Sequence, residues 1–394
     1  MPHGPTDIQP AAGSTPRDDA PGRTVLLSWL APALIYLGTR SVGLLIAFEL
    51  ARAHSKSLLA VLTSWDAAWL LAIARNGYSG VSSDHLDSFG HHTETTALAF
   101  FPAYPYLVRA LSATGLPILA AAFTISLVAG VVCAYGLVRL TTVVGLSRRA
   151  GLVFVVLFAA APLSIVLTMP YTEALFCALA VWALVALLTK RWMLAATLCI
   201  LAGLVRPTGL VLAAVVCAAA LHHVLTGRGA GREWFTLLSA PLGIAGYLGY
   251  VAVRTGRWDG WLHLQRAGWG YSFDFGHATV RDAAAILAYS SDAMLIISVA
   301  VICGYATLAA LTIKDRLSWP VVAYGIGAML MAVQSSVIMN SKARLLLVAF
   351  PLLLPAATRI ARHGTPTVII ITSVYAMVSG WFSAYSLTVW RYAI

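Results

Sequence analysis

The sequence predicts an all-α polytopic membrane protein, and three observations predict it. Apolar residues make up 60% of the 394 and charged residues only 10%, where a soluble chain carries roughly a quarter. Mean hydropathy is +0.83. Apolar runs recur along the chain, each close to the ~20 residues that cross a ~30 Å hydrocarbon layer as a helix. The length accommodates about eleven such spans plus loops.

Residues 1–23 are rich in Pro, Gly, Asp and Thr and read as a disordered cytoplasmic tail. Residues 24–394 then read as one membrane domain. Its first apolar run is too long for a signal peptide and lacks a cleavage pattern, so it is expected to stay as the first span. Spans are expected near 24–50, 115–140, 150–168, 172–189, 192–205, 208–225, 234–254, 283–310, 318–338, 343–358 and 365–387. The pair 192–205 and 208–225 is interrupted by Arg206-Pro207-Thr208-Gly209. A broken helix of that kind is tolerated where it borders protein or a cavity. Segments 64–74 and 97–112 are too short to span and suit helices lying in the membrane interface.

Charge sets the expected orientation. Arg148-Arg149, Lys190-Arg191, Arg228/Arg232, Lys314/Arg316 and Arg359/Arg362 mark alternate short loops as cytoplasmic. The other side collects most carboxylates, including Asp66, Glu94, Glu173 and Asp274, and the two long loops 51–114 and 255–282. Trp258, Trp261 and Trp269 in the second loop suit a membrane surface. The net charge of +11 is scattered over span ends and does not point to nucleic acid. The five cysteines lie in apolar runs without C-x-x-C spacing and read as small buried residues. Gly227-Arg228-Gly229-Ala230-Gly231 follows no strand and reads as a turn, not a nucleotide loop.

Few polar residues interrupt the apolar pattern, and these carry the candidate chemistry. Asp66 stands between Trp65 and Trp69 at the mouth of the bundle, where a carboxylate is costly to desolvate. It suits a general base that takes a proton from an attacking hydroxyl; the plainer reading is a helix cap. Glu173, in Tyr171-Thr172-Glu173, opens an apolar helix. It either orients a sugar hydroxyl or complements the helix dipole. Arg206 suits a phosphate, which a guanidinium binds bidentately, or is an arginine snorkelling from a span end. Lys342 and Arg344 offer further basic groups at an outer end. Asp84, His85, Asp87, His91, His92 and Glu94 crowd the first outer loop. Their spacing is too loose for a metal centre. His91, His92 and Glu94 remain candidates for sugar or headgroup contacts, against a plainly solvated loop.

Two stretches carry a family resemblance. Trp65-Asp66-Ala67-Ala68-Trp69, continuing to Ile73-Ala74 and Gly77-Tyr78, is followed by Phe100-Phe101-Pro102-Ala103-Tyr104-Pro105-Tyr106-Leu107-Val108-Arg109. Their order and spacing resemble the PIG-V family, the second mannosyltransferase of glycosylphosphatidylinositol synthesis, and its bacterial relatives. Weaker matches recur at 170–176, 203–210 and 340–352, where Leu345 stands in place of the usual Tyr. The resemblance implies a GT-C-type helical bundle and a polyprenyl-phosphate sugar donor, most plausibly carrying mannose. It implies a glycolipid or glycan acceptor, inversion, and no cofactor. It makes Asp66 the base and Arg206, with Lys342 or Arg344, the phosphate partner. Glu173 and the His91–Glu94 stretch would orient sugars, and Trp65, Trp69, Tyr104 and Tyr171 would stack on them. The expected place is a bacterial cell membrane, with the site on the outer face. The competing reading is a transporter or lipid flippase, which also needs intramembrane charge and a broken helix.

Overall fold

A computed structural model describes residues 21–229, 231–336 and 338–390. The cytoplasmic tail expected over residues 1–23 lies, up to residue 20, outside the described residues. The chain divides after Ala31, and the site built below lies within Pro32–Ile394. No β-strand forms among the described residues; a single bridge joins Phe273 to Ser335.

Seven described helical stretches, some broken within, are long and apolar enough to cross a membrane: Ser28–Ala53, Ile118–Val143, Gly209–Gly227, Gly231–Thr255, Ala293–Lys314, Met339–Ile360 and Thr365–Thr388. Glu173–Leu188, Trp192–Gly203 and Trp319–Val333 are apolar but shorter. The expected spans differ mainly where the backbone turns. The span expected over 150–168 is the helix Arg148–Ala159 followed by a 3-10 turn, Ser164–Leu167, with Pro162 in the break. The span expected over 283–310 is two helices, His277–Tyr289 and Ala293–Lys314. Asp292 starts the second by accepting the Met294 N–H at 2.9 Å.

The bundle centre forms where Ile118–Val143 packs along Glu173–Leu188. Small residues permit the approach: a Cβ on Gly136 would lie 2.4 Å from Val181. Both interfacial segments are helical, as Asp66–Asn76 and Ala103–Ser112. The stretch 255–282 is less a loop than expected, since it holds the helix Gly260–Trp269 and the start of His277–Tyr289.

These pieces meet at one end of the bundle. The 3-10 turn Thr96–Ala99 leaves carbonyls that helix bonds do not use, and buried carbonyls need donors. Trp261 Nε1 and Gln265 Nε2 both donate to Ala99 O, at 3.1 and 3.0 Å. Tyr78 and Tyr247 hydroxyls donate to Phe100 O at 2.8 and 2.5 Å. The two outer segments are thereby tied over the bundle, and the Ser88 N–H donates to Gly268 O at 2.9 Å.

Candidate active site

Asp66 opens the helix Asp66–Asn76 from an unusual backbone position. Trp65 has φ 58° and ψ −128°. A bulky side chain resists positive φ, and such a residue stores about 1–3 kcal/mol of strain. The turn leaves the Trp65 indole 42% exposed. It also aims the Asp66 N–H at the Tyr171 hydroxyl, 3.2 Å away. Burial, and then the nearby Asp66 charge, push the Tyr171 phenol well above its ordinary value, so it acts as a neutral hydroxyl.

Three distant segments bring partners to Asp66. Arg344, on the helix Met339–Leu345, places Nη1 2.7 Å from Asp66 Oδ2. Its guanidinium lies 5.3 Å from the centre of the Tyr171 ring. Its Nε is 3.7 Å from Glu173 Oε1. Arg206 reaches the same Glu173 oxygen at 2.6 Å and donates to Thr172 Oγ1 at 2.8 Å. The turn that carries Arg206 is tight. A Cβ on Gly209 would sit 2.6 Å from Gly203 Cα, so the interrupted helix needs glycine there.

The result is a chain of alternating charge: Asp66, Arg344, Glu173, Arg206. Two guanidiniums face two carboxylates, so the group is neutral as it stands. Glu173 is fully buried, at 0% side-chain exposure, whereas Asp66 is 34% exposed. The close Arg206–Glu173 approach lies outside hydrogen-bond geometry, and Glu173 Oε1, Arg206 Nε and Arg344 Nε are buried without hydrogen-bond partners. Buried donors of that kind are expensive unless a ligand uses them.

This cluster forms one wall of a cavity of about 770 Å³. Trp65, Asp66, Trp69, Tyr171, Arg206 and Arg344 line it. Glu173 stands directly behind that wall, holding both arginines. Four other candidates from the sequence and the remaining tyrosine lie away from the lining. Tyr104 is buried and bonds Ala122 O and Ser126 Oγ, each at 3.0 Å, which ties its helix to Ile118–Val143. Lys342 is two residues from Arg344, and a helix turns successive residues by about 100°, so the two point to different sides. Its ammonium caps the carbonyls of Ser335 and Ala332. His92 stacks near Trp69 and bonds His85 O at 2.7 Å. The His91 N–H donates to Asp87 Oδ1 at 2.9 Å, and Glu94 is exposed.

Other residues complete the cavity. Asp84, His85 and Asp87 line it, as do Trp261, Gln265, Trp269 and Tyr271 from the second outer segment. Sequence reasoning treated the first three as a solvated loop and the tryptophans as surface anchors. The unusual density of Trp across 258–269 was the available signal. Among the described residues, no three His, Cys, Asp or Glu side chains gather as metal ligands.

A model of the mannosyltransferase (PIG-V) family matches residues 33–248. That stretch contains Asp66, Glu173 and Arg206 and ends before Arg344. No curated protein matches the chain. Among solved structures, the apo form of an oligosaccharyltransferase from Archaeoglobus fulgidus is similar at 14% identity and a TM-score of 0.42. The similarity covers 90% of this chain and 56% of that one, so the chain spans little more than half its length.

Proposed function

The chain belongs to the mannosyltransferase (PIG-V) family, and from that premise we propose that it is a multi-pass membrane glycosyltransferase. It moves mannose from a polyprenyl-phosphate donor to a hydroxyl of a lipid-linked or glycan acceptor, within a GT-C-type bundle. The observation that carries this reading is one cavity wall on which Asp66 stands beside two arginines, with Arg344 at 2.7 Å. The reaction needs a base for the acceptor hydroxyl and a cationic partner for the leaving phosphate, on opposite faces of the anomeric carbon.

The step is a single inverting displacement. The acceptor oxygen attacks C1 of mannose as its proton passes to the Asp66 carboxylate. The C1–O bond to phosphate breaks, and its electron pair leaves with the polyprenyl phosphate. The phosphate gains one negative charge as it departs, and Arg206 and Arg344 offset it. Asp66 returns its proton to water. Trp65 offers the sugar an open ring, and Asp84, Asp87 and Gln265 offer polar contacts across the cavity. The outer face of the membrane is the working side in this reading.

Membranes containing the chain, given radiolabelled polyprenyl-phosphate mannose and a total lipid extract, should pass label to a new product. Transfer from a soluble nucleotide sugar instead, or no transfer above control membranes, overturns the proposal. In a cysteine-free background, Ser83→Cys should react with an impermeant maleimide in intact cells and Thr226→Cys only after lysis. The reverse pattern moves the site to the cytoplasmic face.

A further inference from the structure

Arg344 has two clients. Its Nη1 donates to Asp66 Oδ2 at 2.7 Å. With Oδ2 held by Arg344, Asp66 keeps only Oδ1 for an acceptor hydroxyl. The same guanidinium is one of the two that face the cavity where a phosphate would sit.

The neighbouring contacts decide which one yields when an anion arrives. The cluster is already neutral, so a phosphate entering it competes with the carboxylates for the two guanidiniums. Glu173 is fully buried between Arg206 and Arg344, and removing a partner from a buried carboxylate leaves an uncompensated charge. Arg206 is held further by Thr172. Asp66 is 34% exposed, so water can replace Arg344 there. The link between Arg344 and Asp66 is therefore the cheapest to break. The Tyr171 ring beneath the guanidinium gives it a flat surface to turn on while keeping a favourable contact.

We propose that Arg344 is a positioning residue used in turn by Asp66 and by the donor phosphate. It pairs with Asp66 before donor binds, transfers to the phosphate when donor arrives, and so frees both carboxylate oxygens for the acceptor hydroxyl. Glu173 is the fixed counter-ion that keeps both arginines aimed at one phosphate. Donor then binds before acceptor can bind productively. This rests on the phosphate-donor reading above.

The test uses the purified full chain and a polyprenyl phosphate, which binds like the donor headgroup but transfers no sugar. If Asp66 competes with phosphate for Arg344, Asp66→Asn should bind the probe more tightly, by about fivefold or more. The gain should vanish when Arg344→Met is added and return in part with Arg344→Lys. Asp66→Ser serves as a second variant, should Asn disturb the helix start. A purely structural Asp66, or one that contacts donor directly, predicts weaker or unchanged binding, and that result overturns the proposal. If the wild-type chain transfers mannose and binds the probe while neither Asp66 variant binds it more tightly, this proposal alone falls. If the wild-type chain does not bind the probe, the donor reading falls with it.

Discussion

The cavity has two kinds of wall, and they are built on different principles. One side is charge: Asp66, Arg344 and Arg206, with Glu173 behind them. These come from segments as much as 278 residues apart, and each sits where an apolar chain has no structural need for charge. The other side is aromatic. Trp69 meets Phe100 at 5.4 Å, His85 at 5.5 Å, Trp269 at 6.1 Å and His92 at 6.3 Å. Trp69 is 7% exposed, which leaves little of its ring for a sugar. Tyr171 is 1% exposed and already carries Arg344. The charged wall keeps unused guanidinium donors, while the aromatic wall is held by ring contacts, with His85 Nδ1 buried and without a hydrogen-bond partner. In the proposed reading, chemistry belongs to the first and shape to the second.

The sharpest break of that contrast is Asp66→Asn. The amide keeps the shape but cannot take the proton, so transfer should fall by ~10²–10⁴. The purified variant should elute and melt like the wild type. Normal turnover would leave Asp66 only as the ion-pair partner of Arg344.

Glu173→Ala should cost about 3–5 kcal/mol of stability, because it strands the buried Arg206 guanidinium and takes one of two carboxylates from Arg344. Asp66→Ala, at a partly exposed partner of the same network, should cost about 1 kcal/mol or less. Thermal melts in detergent compare them. Equal losses would mean that burial does not separate the two carboxylates as the geometry says.

The two tryptophans should move in opposite directions. Trp69→Ala removes the hub of the aromatic wall and should destabilise by about 3–5 kcal/mol. Trp65→Gly accepts the positive φ and relieves part of the about 1–3 kcal/mol stored there. It should hold or raise the melting temperature while lowering transfer by roughly two- to tenfold through the lost ring. A Trp65→Gly variant that is both unstable and fully active would make Trp65 a packing residue.

The smallest expected effect is that of chelation. In the proposed mechanism Arg206 and Arg344 offset the phosphate charge, so transfer should be unchanged in EDTA. Loss of activity, restored by one divalent ion, would turn attention to Asp84, His85 and Asp87 on the opposite side of the cavity.

The membrane spans were legible because hydropathy is a local property, but their ends were not. Hydropathy counts composition and does not register a turn. The run over 234–254 is two helices, Gly231–Ser239 and Leu242–Thr255, parted at Ala240-Pro241. Arg148–Ala159 and Ala293–Lys314 are likewise shorter than the spans expected over 150–168 and 283–310. Polar positions were legible for a related reason. Asp66, Glu173, Arg206 and Arg344 stood out because a charge near hydrocarbon is costly enough to require a cause.

By itself, then, the sequence determined a helical membrane chain, the tilt of its charge toward one set of loops, and the few residues that break the apolar pattern. Local composition is enough for each of these. Tertiary structure alone decided how those residues divide their work. It put Arg344 on the cavity and turned Lys342 onto the carbonyls of Ala332 and Ser335, although the two are near neighbours in sequence. It placed Glu173 behind the arginines instead of in the cavity, and covered Trp69 while leaving Trp65 open. Residue type sets what a side chain can do, but charge pairing and ring contact act over a few ångströms between segments far apart in the chain, and only packing brings those segments together.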